Sequence, residues 1–205
     1  LDSVDVCLIT HLHKDHFDIN TLKLLSKETK FVFPKTFGWQ VINSNLESNG
    51  FKNTILLDFL EDSISAAGFT IRAIPPLNSL GLDSQAEENE LSIDGGFTLE
   101  SNFCELKLVF LADNNLYNDR VVEENLDLLK APDLIAFAYN GFASDFPFNY
   151  NFSYQKKIDI CNKNEEVRFS KQIRNLKKIK PRFILPYSSE FVPVGTHVSN
   201  WTEIF

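Results

Sequence analysis

The sequence lacks methionine altogether, at position 1 and everywhere after it, and has only three cysteines among 205 residues, Cys7, Cys104 and Cys161. An odd number of thiols with no C-x-x-C spacing argues against a disulfide framework and a thiolate zinc site, and it fits a reducing, cytoplasmic compartment. No apolar run approaches the ~18 residues that a membrane span needs. The opening Leu1-Asp2-Ser3-Val4-Asp5 has neither the charged nor the apolar part of a signal peptide. Positive charge is the minority sign: 20 Lys and Arg against 28 Asp and Glu leave a formal charge of −8. That balance speaks against a nucleic acid partner held by general electrostatics, because phosphate backbones attract the opposite sign. The chain also has no Gly-rich phosphate loop and no G-x-S-x-G nucleophile elbow.

What is present reads as one globular domain over residues 1–205. Apolar β-rich runs alternate with helical patterns, and no repeat or low-complexity linker divides them, so the fold class is α/β or α+β. Strands are expected over Val4–Thr10, Phe31–Phe33 (stopped by Pro34), Thr54–Phe59, and a hairpin of Ser63–Ala66 and Thr70–Ile74 turned at Gly68. Leu91–Glu100 and Glu105–Leu111 read as an antiparallel pair, with Leu134–Tyr139 and Arg182–Pro186 as later strands. Helices are expected from Asn20–Ser26, over Gly38–Leu46 up to the Asn49-Gly50 stop, over Asn118–Lys130 with Asn118 as N-cap, and over Val167–Ile179. In the last, Phe169, Ile173 and Leu176 form the expected apolar face. Two loops stand out: Pro75–Glu90, long and acidic, and the aromatic Asn140–Tyr150.

The informative segment is Thr10-His11-Leu12-His13-Lys14-Asp15-His16-Phe17-Asp18, directly after an apolar strand. His11 and His13, two apart at the extended end of a strand, point the same way, and a following turn brings Asp15 and His16 back toward them. Imidazole and carboxylate are the ligands that suit zinc, iron or manganese. Three of the chain's four histidines fall in this H-x-H-x-D-H pattern, which a merely exposed His-rich loop explains poorly.

This pattern resembles that of the metallo-β-lactamase superfamily, whose fold is an αβ/βα sandwich of two sheets with metal ions at the sheets' edge. The resemblance implies that His11 and His13 serve a first metal position and Asp15 and His16 a second. It further implies that a bridging aspartate closes a later strand; Val109-Phe110-Leu111-Ala112-Asp113-Asn114 has that form, so Asp113 is the candidate, with a turn or capping role as its alternative. Ser92–Phe97, Leu111–Asn114, Tyr139–Pro147 and Pro186-Tyr187-Ser188 resemble the lactonase and phospholipase D-like branch that includes the metallo-β-lactamase-like part of CMP-N-acetylneuraminate hydroxylase. The Rieske module that often accompanies that branch has no counterpart here.

The pattern also departs from the family. No histidine lies between His16 and Asp113, which leaves Asn78, Asp83 or nothing in the place of one ligand; Ile184–Ser189 stands where a late histidine is usual, and His197 is the only remaining imidazole. One or two divalent ions are therefore expected, with zinc first and iron or manganese favoured by oxygen-rich ligation. The expected chemistry is hydrolysis of an ester, lactone or phosphodiester by a metal-bound hydroxide, with Asp15 as the catalytic carboxylate. Two other readings stay open: a sialate-hydroxylase-like component needing a separate redox module, and a degenerate, non-catalytic metal-binding member. Seven basic residues from Arg168 to Arg182 without an acid suit a solvated helix face, or the recognition of an anionic small-molecule substrate. Only one strand precedes the histidine motif. The domain is accordingly expected to be N-terminally incomplete, with upstream strands, a second copy or a partner chain covering an open sheet edge.

Overall fold

The computed structural model describes residues 4–59, 62–77, 94–139 and 151–188. Strands β1 (Val6–Leu8), β2 (Lys30–Pro34) and β3 (Thr54–Leu57) form a parallel sheet in that order. A second sheet runs β4 (Ile64–Ala66), β5 (Phe69–Ile74), β6 (Gly96–Ser101), β7 (Lys107–Phe110), β8 (Leu134–Ala138) and β9 (Phe183–Tyr187). It is antiparallel from β4 to β7 and parallel from β7 to β9. Helices α1 (Ile19–Leu22) and α2 (Trp39–Ser48) belong to the first half, and α3 (Asp119–Glu124), α4 (Leu126–Leu129) and α5 (Tyr154–Ile179) to the second.

The alternation of side chains along β2 builds the layers. Phe31 and Phe33 pack with Ile42 and Leu46 of α2 and with Phe51, whereas Val32, between them, faces the second sheet and joins Leu57, Ile71, Ala73 and Phe97. The opposite face of the second sheet packs Val109, Ile135 and Phe137 against Val122, Leu129, Leu176 and Ile179 of the helices. Helix, sheet, sheet and helix thus stack in an αβ/βα sandwich, held by burial worth roughly 1.5–3 kcal/mol for each large apolar side chain.

The local chemistry explains most boundaries. Ala67 and Gly68 both have positive φ, 49° and 80°, as a tight hairpin turn with right-handed strand twist demands. Pro34 ends β2 as its last residue rather than stopping the strand before it, and pairs with Leu57. The helix expected over Asn118–Lys130 breaks at Asn125, whose side-chain amide donates to the Val121 carbonyl at 2.8 Å and separates α3 from α4. The final helix starts thirteen residues before Val167, at Tyr154, capped by Ser153. Its buried face is also not the expected one. Phe169 is exposed, and the side toward the core holds Cys161, Gln172, Asn175, Leu176 and Ile179. Gln172 donates to the Tyr139 carbonyl at 3.3 Å and Asn175 to the Leu116 carbonyl at 2.9 Å, so polar residues occupy positions that an apolar periodicity misses.

Two sequence expectations about loops and late ligands fall on residues 78–93, 140–150 and 189–205; Asn78, Asp83 and His197 therefore lie outside the described residues. No helix among the described residues is long and apolar enough to cross a membrane.

Candidate metal centre

The site forms where several strand ends meet. β1 runs into Thr10 and His11, β7 runs into Asp113, and β6, antiparallel to β7 with Phe97 opposite Phe110, begins just after Asp94 at the same rim. Beyond β1 the chain makes one tight turn in which the backbone N–H groups of His16 and Phe17 donate to the His13 carbonyl at 2.9 and 2.7 Å. That turn folds Asp15 and His16 back toward His11 and His13. Asp18 then ends the motif as the N-cap of α1, accepting from the Thr21 backbone N–H at 3.1 Å and from its hydroxyl at 2.6 Å; the Thr21 bonds hold its carboxyl below the usual range.

Two groups of ligand atoms result, each with all its atoms within 4.8 Å of one another: His11, His13, Asp94 and Asp113, and Asp15, His16 and Asp113. His11 is fully buried, and its Nδ1 lies 3.1 Å from the Thr10 hydroxyl. Its Nε2 therefore faces the cluster, 2.9 Å from His13 Nδ1, 3.5 Å from Asp113 Oδ2 and 3.8 Å from Asp94 Oδ1. His16 Nε2 lies 3.2 Å from Asp113 Oδ1 and 3.4 Å from Asp15 Oδ2. The two oxygens of Asp113 thus serve different groups.

The electrostatics agree with a cation-binding set. Hydrogen bonds from His11 and His16 hold the Asp113 carboxyl far below the ordinary carboxylate value. The Asp113 bond in turn raises His16 above the usual histidine value, against the opposing effect of burial. Two imidazole nitrogens 2.9 Å apart, aimed with carboxylate oxygens at one point, are a donor set that a divalent ion satisfies.

Supporting contacts fix the turn that presents Asp113. Asn114, fully buried, accepts from the Leu77 backbone N–H at 2.7 Å and donates to the Pro75 carbonyl at 3.4 Å, clamping the segment after β5. Tyr187, at the end of β9, donates to the Ala112 carbonyl, and burial together with the nearby Asp113 charge pushes its phenol up to about 12.

All five residues expected from the sequence, His11, His13, Asp15, His16 and Asp113, come together. Asp94 was not among them. It falls inside the strand expected over Leu91–Glu100 and the Ser92–Phe97 segment that carries part of the resemblance, but β6 begins only at Gly96, so Asp94 stands ahead of the strand and not within it. Part of the basic run is engaged away from the site: on α5 Arg174 pairs with Asp119 and Lys178 with Glu123 at 2.6 Å, and beyond the helix Arg182 pairs with Asp133 at 3.8 Å. These contacts support the solvated-face reading of that run.

Two sheets between helical layers, with a His and Asp cluster at their rim, define the metallo-β-lactamase fold. No family model matches the sequence, and no curated protein is significantly similar to it. Solved structures are similar. A mutant of the CmlA β-hydroxylase superposes with a TM-score of 0.61 at 18% identity, over 91% of this chain and 37% of that one. An isothiocyanate hydrolase from Delia radicum gut bacteria gives 0.55 at 18% identity, over 90% of this chain and 62% of the other. A possible metal-dependent hydrolase from Veillonella parvula gives 0.53 at 16% identity, over 93% and 76%. The chain therefore spans less than two thirds of the length of the first two.

Proposed function

We propose that this protein is a metal-dependent hydrolase that acts on an ester, lactone or phosphodiester of a small molecule. The observation that carries the reading is the convergence of His11 Nε2, His13 Nδ1, Asp94 and Asp113 on one point, with Asp15 and His16 sharing Asp113 beside it. A divalent ion held there by His11, His13, Asp94 and Asp113 would supply Lewis acidity and would lower the pKa of a water toward about 7. The chain's own residues set the rest. Thr10 holds the His11 ring so that Nε2 faces inward, and Asp113 ties the two groups to each other. Asp15, largely exposed, is the carboxylate placed to orient a nucleophilic water and take its proton. Of the similar structures, one is described as an isothiocyanate hydrolase and another as a possible metal-dependent hydrolase, in keeping with this reading.

The test begins with plasma mass spectrometry on protein purified without chelator or histidine tag, followed by a screen of esters, lactones and phosphodiesters with the metal found. One or two ions per chain, with turnover that disappears in His13→Ala, is the expected result. A protein that binds no ion even after reconstitution overturns it and favours a non-catalytic member of the fold. A second reading, a hydroxylase-like component working with a separate redox module, draws on the likeness to the CmlA β-hydroxylase, only 37% of which this chain covers. Metal retention without hydrolysis, together with copurification of an iron–sulfur protein, distinguishes it. The expected sheet-edge partner, whether upstream strands, a second copy or another chain, is checked by analytical ultracentrifugation.

A further inference from the structure

Resting on the metal-centre reading above, we infer that Asp94 is a ligand of the inner metal position, the one formed with His11, His13 and Asp113, and the residue that sets its metal preference, favouring manganese or iron(II) relative to a site with a third imidazole.

Three observations support it. Asp94 shares the His11, His13 and Asp113 group, its Oδ1 3.8 Å from His11 Nε2, and it is mostly shielded from solvent. Its position is also dictated by the backbone. A Cβ on Gly95 would lie 2.7 Å from Pro34 Cγ and 2.9 Å from the Thr10 carbonyl oxygen, and one on Gly96 would lie 2.7 Å from the Phe110 carbonyl oxygen. The start of β6 is therefore wedged between the turn that carries His11 and the strand that carries Asp113, and Asp94 is delivered between them. Such close packing of two glycines is what a fixed ligand position requires, and a solvated turn does not.

The third observation is the chemistry of the set. With Asp94 the inner position offers two imidazoles and two carboxylates, and no third imidazole joins that group among the described residues. Imidazole suits zinc, whereas carboxylate oxygen suits manganese, and two histidines with carboxylate and open positions suit iron(II). Zinc still binds more tightly than manganese at any such site by the general order of divalent affinities. Asp94 acts on the margin between them: a harder, charged oxygen in place of a third nitrogen narrows zinc's advantage.

The experiment compares wild type, Asp94→Asn and Asp94→His, stripped of metal and titrated with Zn²⁺ and with Mn²⁺ against a chromophoric chelator, with Mn²⁺ occupancy also read by electron paramagnetic resonance. Far-UV circular dichroism confirms folding. Asp94→Asn is expected to weaken the inner ion about tenfold or more for both metals, the scale on which metal-site substitutions act. Asp94→His is expected to recover zinc but not manganese, widening the zinc-to-manganese affinity ratio about tenfold. Folded Asp94 variants with wild-type affinities, or an unchanged ratio in Asp94→His, overturn the inference and leave the hydrolase reading standing. Wild type that takes up neither metal overturns both.

Discussion

The Tyr187 phenol donates to the Ala112 carbonyl at 2.8 Å, tying the last residue of β9 to the turn that presents Asp113. Ala112 has a φ of 50°, in the left-handed region, so the turn holds backbone strain that this bond helps to fix. Tyr187→Phe is expected to cost about 1 kcal/mol, a fall of roughly 2–4 °C in melting temperature for a chain of this size. Metal affinity should fall along with it, which calorimetric titration of the variant measures; an unchanged affinity would show that Asp113 is held without the tyrosine.

Gly95→Ala tests the wedge beneath Asp94. The added methyl meets Pro34 and the Thr10 carbonyl at distances no side chain adopts, so β6 must move away from the histidine turn. Overpacking of this kind costs about 1–3 kcal/mol. Thermal denaturation should show that loss, and metal titration should show weaker binding although every ligand is retained.

Asn114→Ala removes both bonds that clamp residues 75–77 and leaves the buried Leu77 N–H without its acceptor. The expected destabilisation is about 1–3 kcal/mol, measurable by urea denaturation.

Protons compete with metal at His16. Its pKa is raised above the ordinary 6.5 chiefly by the bond to Asp113, so an incoming ion must displace a proton held more firmly than usual. Apparent metal affinity should therefore drop as pH falls through that raised value. In the metal-free protein the sign reverses. The His16 contribution to stability is complete below about 6.5 and is lost as pH rises through the folded pKa. The Asp113 contribution, from a depressed pKa, is present above its ordinary 3.8 and is lost only in stronger acid. Metal-free protein should thus be most favoured by this pair between about pH 4 and 6.5, and metal-loaded protein above that window; melting curves across pH with and without chelator check both.

How far the site could be read from the chain depends on how its residues are brought together. His11, His13, Asp15 and His16 were legible because one strand end and one turn assemble them within six positions. Asp113 came only through the family resemblance, which implies an aspartate closing a later strand; its position alone fits a turn or cap equally well. Asp94 is different: it enters through the register of β6 against β7, which spacing does not display even where the antiparallel pair itself is expected, and a strand read from Leu91 hides that Asp94 lies ahead of the first paired residue. The mixed class follows from the order of strand and helix patterns, whereas the two-sheet sandwich comes only with the family resemblance of the histidine motif; the buried run of β2 fits both. The first half of α5 was not, because among its residues before Val167 only Cys161 is buried and no apolar stripe forms. Of the face expected in its second half only Leu176 is buried; the inward side is turned toward Gln172 and Asn175, which bind carbonyls, while Phe169 and Ile173 are exposed.

Asp113 offers one oxygen to His11's group and the other to His16's. A carboxylate shared in this way makes the two positions rivals for a single negative charge. Whichever cation arrives first neutralises part of what the second would meet, and the two ions also repel at short range. By linkage each weakens the other by the same factor. Filling should accordingly proceed in two separated steps, the first ion at the four-ligand position, so that the protein changes from a one-ion to a two-ion form according to the free metal around it.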